Sequence, residues 1–262
     1  MSLPSLKLSL IALAFAALTA CGGNSDDKPS VPDAAPIIPA PGGVYVGYFQ
    51  EDVTNNPEDA IAGAFVLSVP GTDANSGTKL TMTYAGCQTS NFGNDNGIKN
   101  GNAYGASWSG LLDATSQSGS IFATYDPATG YYSGVYSNAK GKQLLNLPNC
   151  TQYYMAALGK FEVFPIEKNL PASFTLSVNA NTLSWTSVAG TASILVYVLD
   201  PVLAQSGILN PIKAHALLPG TSASYSLAAA GLSSGKEYIA VSQQSNSSSA
   251  RIAFASKRFV AP

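Results

Sequence analysis

Apolar and polar residues alternate with a period of two along most of the chain after residue 42. Residues 78–84, TKLTMTY, alternate without interruption, and residues 126–130, DPATG, have the composition of a tight hairpin turn. No stretch after residue 42 has apolar side chains at helical spacing over a length that would form an amphipathic helix. Because alternate side chains of a strand point to opposite faces, this pattern predicts an all-β chain of antiparallel strands.

Residues 43–166 form the first predicted domain. Short connections between consecutive strands favour an antiparallel meander, curled into a small barrel or a sandwich. Four glycines within predicted strands indicate bulges or tight bends: Gly47, Gly105, Gly110 and Gly134. Aromatic residues flanked by glycines, as in GVYVG at residues 43–47, are interpreted as core rings over bent strands rather than as a binding platform.

Residues 167–262 form the second predicted domain, after a linker with a proline at each end (165–171). Leu183 and Trp185 form a Leu-x-Trp pair, and Tyr238 follows Leu232 by six residues across a glycine turn. This pattern resembles the fibronectin type III family. The resemblance implies a β-sandwich with a buried Leu-x-Trp pair and a tyrosine corner, in which the Tyr238 hydroxyl bonds back to the backbone.

Two segments of this domain depart from the fibronectin type III pattern. The family places bulky residues at alternate positions after the corner tyrosine, where this chain has Ala240 and Ser242. Residues 201–220 are longer than a usual connection, and we expect them to form a short helix or to cover a sheet edge. These departures leave the sandwich subtype open.

The N-terminus has the order of a secretory signal, with Lys7, an apolar run at residues 8–17 and small residues before Cys21. The run is too short to cross the hydrocarbon core. Residues 18–21, LTAC, resemble the lipobox of bacterial lipoproteins. The resemblance implies that residues 1–20 are removed and that Cys21 is acylated, with palmitate as an expected chain; an ordinary secretory signal with a chance cysteine is the alternative.

Residues 21–42 are rich in proline and small polar residues, and we expect a semi-rigid tether that lifts the folded part off the membrane. In lipoproteins, an Asp directly after the acylated cysteine favours retention in the inner membrane. The residue here is Gly22. In a Gram-negative cell, the resemblance therefore implies an outer-membrane lipoprotein.

Charge and cysteine content exclude several classes of protein. Charged residues make up 11% of the chain, the formal net charge is -2, and no basic stripe marks a nucleic-acid partner. The membrane contact is therefore expected from lipid rather than from charge. Cys87 and Cys150 form an even pair in an oxidising compartment, and a predicted disulfide would stabilise the fold by about 4 kcal/mol; a redox role is the alternative.

The segment 86–102, rich in Gly and Asn, is predicted to be the longest irregular loop, a kind of segment that often carries function. We expect any ligand contact to centre on residues 88–102 of this segment and on exposed aromatic residues beside them, not on His215. The oxygen ligands of the segment could make a weak calcium site, but the EF-hand order is absent and a solvated loop is preferred. The candidate binding residues are Asn91, Phe92, Asn94, Asp95, Asn96 and Asn100.

Motifs for catalysis are missing from the sequence. The chain has one histidine, His215, and no G-x-S-x-G motif. The acidic pairs at residues 51–52 and 58–59 point to opposite faces of a strand or lie in a turn. No CxxC pair, phosphate loop or dinucleotide fingerprint is present. We therefore expect neither catalytic activity nor a metal or cofactor.

These observations predict a non-catalytic cell-envelope lipoprotein that presents β modules for binding a protein or a glycan. A first alternative is an inhibitor of a lysozyme-like or other hydrolase, in which the loop at residues 88–102 would fill the active-site cleft. A second alternative is a carbohydrate-active enzyme that uses acids of the first domain.

Overall fold

The structure is a computed structural model. It describes residues 41–51, 62–69, 79–84, 89–93, 98–100, 103–112, 115–139, 143–145, 153–155, 158–206, 211–248 and 250–262. The chain is all-β, as predicted, with antiparallel pairing between neighbouring strands. No helix in the described part of the chain has the length and apolarity needed to cross a bilayer.

The described residues in the first part of the chain form eleven strands. They are Gly43–Glu51 (β1), Ala62–Val69 (β2), Lys79–Tyr84 (β3), Thr89–Gly93 (β4), Ile98–Asn100 (β5), Ala103–Leu112 (β6), Thr115–Asp126 (β7), Tyr131–Asn138 (β8), Gln143–Leu145 (β9), Tyr153–Met155 (β10) and Leu158–Pro165 (β11).

Nine of these strands form one sheet in the order β4-β3-β2-β1-β11-β8-β7-β6-β5, and β9 pairs with β10 separately. Because β4 also pairs with β6, over the two pairs Phe92↔Gly110 and Gly93↔Ser109, the sheet curls back on itself. We call it the curled sheet. Strands consecutive in sequence pair from β1 to β4 and from β5 to β8, as in the predicted meander, whereas β11 returns to pair with both β1 and β8.

The interior of the curled sheet is filled by aromatic side chains. Phe65 stacks on Phe161 at 4.3 Å between ring centroids, and the Tyr45 ring meets Tyr132 edge-on at 4.9 Å. Both tyrosines are buried, which confirms that these glycine-flanked rings belong to the core. At Gly47 and Gly134 a Cβ would collide with the backbone of the neighbouring strand, so glycine permits the close approach of the strands.

The prediction of an irregular loop at residues 86–102 is wrong for the described residues of this segment, because they form the strands β4 and β5. The pairs Phe92↔Gly110 and Ile98↔Gly105 place both strands along β6 with a register offset of one residue. Backbone pairing with β6 stabilises strands that Gly and Asn disfavour locally.

The second part of the chain forms a β-sandwich, as predicted. Its elements are Asn169–Leu170 (β12), Leu176–Asn179 (β13), Thr182–Trp185 (β14), Ser193–Leu199 (β15), Pro201–Ser206 (α1), Ile212–Pro219 (β16), Ser224–Ser226 (β17), Glu237–Ser245 (β18) and Arg251–Val260 (β19). A three-stranded sheet, β13-β14-β17, packs on a five-stranded sheet, β12-β19-β18-β15-β16. The segment 201–220 supplies both the short helix and an edge strand, β16.

The signature residues of the sandwich are buried. Leu183 is fully covered, and the Trp185 Nε1 donates a hydrogen bond to the Ser222 carbonyl at 2.9 Å. The Tyr238 hydroxyl accepts a hydrogen bond from the Ser233 backbone N–H at 3.0 Å. This bond runs back to the backbone five residues upstream, which is the geometry of a tyrosine corner.

A hydrophobic core joins the curled sheet to the sandwich. Val46 and Val66 of the curled sheet share one cluster of buried residues with Leu199 and Val241 of the sandwich. The Tyr197 hydroxyl of β15 donates a buried hydrogen bond to the Gly47 carbonyl of β1 at 2.8 Å. Contacts accordingly group residues 37–262 into one unit, so the predicted boundary at residues 166 and 167 separates the sheets but does not separate their cores.

Candidate binding surface

The side chains of β7 alternate between the interior and the outer face of the curled sheet. Ile121, Ala123 and Tyr125 are buried, whereas Phe122 and Thr124 point outward and are exposed. The exposed fraction of Phe122 is 62%, a large value for an aromatic side chain in a strand interior. Single exposed apolar residues are common on protein surfaces. Whether Phe122 belongs to a binding surface therefore depends on the residues around it.

Strand register places Phe122 at the centre of a grid. Gly105 of β6, Phe122, Val135 of β8 and Lys160 of β11 lie side by side in one row. The rows above and below it hold mainly hydroxyl side chains. We call this surface the Phe122 face; it comprises Ala103, Gly105, Ser107, Ser120, Phe122, Thr124, Ser133, Val135, Ser137, Leu158, Lys160 and Glu162.

The position of the Phe122 ring depends on Gly105. A Cβ added to Gly105 would lie 3.4 Å from Cδ1 and 3.5 Å from Cε1 of Phe122, so the ring lies over this glycine. Val135, opposite Phe122 on the other side, is 45% exposed. The ring therefore rests on the sheet while much of its surface faces solvent.

Hydroxyl groups surround the ring. Ser107, Thr124 and Ser133 are exposed, and Ser120 and Ser137 are half-buried. The Ser137 hydroxyl accepts a hydrogen bond from the Ser120 backbone N–H at 3.3 Å. Each hydroxyl has one donor and two acceptor sites, so the face offers neutral hydrogen-bonding groups next to an apolar ring.

Charge is confined to one edge of the Phe122 face. The Glu162 carboxylate accepts hydrogen bonds from the Tyr48 hydroxyl at 2.7 Å and from the Arg251 Nε at 3.1 Å. Burial, with the hydrogen bond to Glu162, raises the pKa of Tyr48 well above its usual range, so the Tyr48 hydroxyl keeps its proton in alkaline solution as well as at neutral pH. Glu162 is thus held by its neighbours, and Lys160 is the other charged residue of the face.

Two clefts near the linker offer a different kind of surface. The larger, of about 460 Å3, is lined by Glu167, Gln205 and the Glu237–Arg258 ion pair, whose atoms lie 2.5 Å apart. The smaller, of about 390 Å3, includes Lys257. Because Glu237 and Arg258 already bind each other, the larger cleft is a weaker candidate than the Phe122 face.

The residues predicted to bind a ligand are only partly described. Asn91 and Phe92 lie in β4 and Asn100 lies in β5, whereas Asn94, Asp95 and Asn96 lie outside the described residues. Asn100 is paired with Ala103, a member of the Phe122 face. Ile98 of the same strand is paired with Gly105, also a member of the face, so the predicted segment reaches the candidate surface along β5, as a strand rather than as a loop.

The remaining candidate residues lie elsewhere. His215 is in β16 opposite Tyr197, half-buried in the sandwich, and burial lowers the pKa of its imidazole. Cys21, Cys87 and Cys150 lie outside the described residues, as do three of the acids, Asp52, Glu58 and Asp59. The described part of the chain contains no group of His, Cys, Asp and Glu that could hold a metal ion.

Sequence reasoning missed Phe122, although a signal was present. In residues 120–125, SIFATY, the buried positions are Ile121, Ala123 and Tyr125, so Phe122 occupies the phase of the polar residues. An aromatic residue at a solvent-facing position of an otherwise regular strand marks a candidate contact residue.

Comparison with known proteins gives no family for the chain. No protein-family model matches it, and its sequence matches no curated protein.

Proposed function

We propose that this chain is a non-catalytic lipoprotein of the cell envelope that binds a protein or a glycan through the Phe122 face. The observation that carries the proposal is the exposed Phe122 ring, set on a rigid sheet among hydroxyl side chains. Aromatic side chains are enriched at binding surfaces because they bury a large area with few rotatable bonds.

The surrounding fold favours the Phe122 face as a contact surface. Its residues lie on four hydrogen-bonded strands whose inner faces are fixed by packed aromatic rings. Groups that are ordered before binding lose less conformational entropy in the complex than groups on a free loop. The sandwich covers the neighbouring part of the outer face, on β1 and β2, and leaves the Phe122 face exposed.

The envelope location in this proposal depends on the lipobox resemblance at residues 18–21, and the spacer role of the sandwich depends on its resemblance to fibronectin type III domains. Support for the second comes from the buried Leu183 and Trp185 and from the Tyr238 corner. The inhibitor alternative has lost support, because β4 and β5 occupy much of the segment proposed as an inhibitory loop.

Replacing Cys21 tests the anchor. We expect Cys21→Ser to release the folded protein from the membrane fraction, because the acylated thiol is lost. Fractionation of cells that express the complete chain measures this. Recovery of the variant in the membrane pellet, at the level of the wild-type chain, would contradict a lipid anchor at this residue.

Replacing Phe122 tests the binding surface. In the Cys21→Ser chain, which lacks the lipid anchor, we expect Phe122→Ala to weaken retention on envelope material by about tenfold to a hundredfold, because a buried Phe contributes about 1.5–3 kcal/mol. Val260→Ala is the matched control, since Val260 is 62% exposed at the end of the sandwich. Equal retention of both variants would contradict the proposal.

A further inference from the structure

We infer that the ligand of the Phe122 face is a short neutral saccharide. This inference rests on the proposed function and narrows it from two ligand classes to one. Three properties of the face support it. An exposed aromatic ring lies among several hydroxyl side chains, the face has few charged residues, and its area is small.

The chemistry of the Phe122 face complements that of a sugar. A sugar ring presents a face of C–H groups and an edge of hydroxyls. The negative face of an aromatic ring attracts polarised C–H groups. Around Phe122, the hydroxyls of Ser107, Thr124 and Ser133 can donate to or accept from the hydroxyls of the sugar.

The charge of the Phe122 face favours a neutral ligand. Phe122 itself is flanked in its row by Gly105 and Val135, and its strand neighbours on the face are Ser120 and Thr124. Of the two charged residues, Glu162 is already bound by Tyr48 and Arg251. For an anionic saccharide or an acidic peptide, the face offers one cationic side chain, Lys160, so it does not favour a negatively charged ligand.

The size of the face favours a short saccharide over a folded protein. The four strands, with five residues along each, measure about 14 Å by about 14 Å, and Ile98 and Asn100 of β5 extend the rows by one strand, for a total of about 270 Å2 at most. A stable protein interface covers about 800 Å2 on each partner, with a hydrophobic centre. The exposed apolar residues here are Phe122, Val135 and Leu158, which cover only part of the smaller area.

Two substitutions at Phe122 separate a sugar from an apolar protein contact. Phe122→Tyr keeps the aromatic face, whereas Phe122→Leu keeps apolar volume but removes the ring. The complete chain and both variants are titrated by calorimetry with short neutral oligosaccharides of glucose, galactose, mannose and N-acetylglucosamine. Leu217→Ala is the control, since Leu217 is an exposed apolar residue of the sandwich.

We expect at least one oligosaccharide to bind the wild-type chain and the Leu217→Ala control alike, and to bind the Leu variant about tenfold more weakly than the Tyr variant. If none of these sugars binds, or if the Leu variant binds as the wild type does, the saccharide inference is overturned. The retention experiment tests the proposed function independently of calorimetry: if Phe122→Ala does not change retention on envelope material, the proposed function is contradicted. Retention that is lost with Ala but kept with Leu would identify an apolar protein partner instead.

Discussion

At the scale of residues, a few side chains join parts of the fold that are distant in sequence. Tyr197 is fully buried and donates its hydroxyl hydrogen bond to Gly47, which links the sandwich to the curled sheet. Gly47 accepts this bond at a position where a Cβ would collide with the Glu162 backbone. The sequence marks Gly47 as a glycine within a strand, but neither contact could be predicted from sequence, because the partners lie more than 100 residues away along the chain.

Tyr197→Phe tests the link between the two parts. We expect the free energy of unfolding to fall by about 1–2 kcal/mol, because a buried carbonyl loses one donor. Urea denaturation measures the change, and Tyr225→Phe, a half-buried tyrosine of the sandwich, is the control. An unchanged denaturation midpoint for Tyr197→Phe would show that this hydrogen bond contributes nothing measurable.

The buried tyrosines make the protein sensitive to alkaline pH. Burial raises the pKa of Tyr45 to about 12, and the nearby Tyr125 hydroxyl adds to the shift. Because the folded-state pKa exceeds the unfolded value near 10, this stabilisation is fully present below about pH 10 and is lost as the pH rises through 12.

Tyr45→Phe should therefore remove part of the loss of stability between about pH 10 and pH 12, by about 1–2 kcal/mol. Chemical denaturation at pH 8, 10 and 11.5 compares the variant with the wild-type chain. A decline of the same steepness in both proteins would contradict the assigned shift.

At the scale of elements, local residue patterns predict most strands, including the alternating β14, the continuous apolar run of β15 and the last strand β19, as well as the turn at residues 126–130. They miss β4 and β5, because their Gly and Asn residues favour a loop and their pairing with β6 is not encoded locally. The same limit applies to the candidate site. Local alternation places Phe122 on the solvent side, but only the register of four strands surrounds it with hydroxyls.

Tyr238→Phe tests the corner of the sandwich. Without the hydroxyl, the Ser233 backbone N–H loses its acceptor, and we expect a loss of about 1–3 kcal/mol. Thermal unfolding followed by circular dichroism gives the difference. A melting temperature equal to that of the wild-type chain would show that the corner is not a stabilising contact.

At the scale of the whole molecule, the shared core determines how the chain unfolds. The sequence predicts two domains that melt separately across the linker. In the structure, Phe164 of β11 packs against Phe254 of β19 at 4.5 Å, and the Arg251 guanidinium lies 5.1 Å from the Phe164 ring centroid. Such contacts couple the stability of the sheets on both sides of the linker.

Phe254→Ala should therefore destabilise the curled sheet and the sandwich together, by about 3–5 kcal/mol. Scanning calorimetry of the wild-type chain should show one transition, and the variant should shift it as a whole. Two transitions, with only one of them shifted, would contradict a common core.

The most direct test of the binding proposal is site-specific photo-crosslinking in intact cells. A benzophenone side chain reacts with nearby C–H bonds, and can replace Thr124 on the Phe122 face or Lys213 on the edge strand of the sandwich, both exposed positions. We predict a crosslinked adduct from position 124 and none from position 213. An adduct from position 213 alone would contradict the assignment of binding to the Phe122 face.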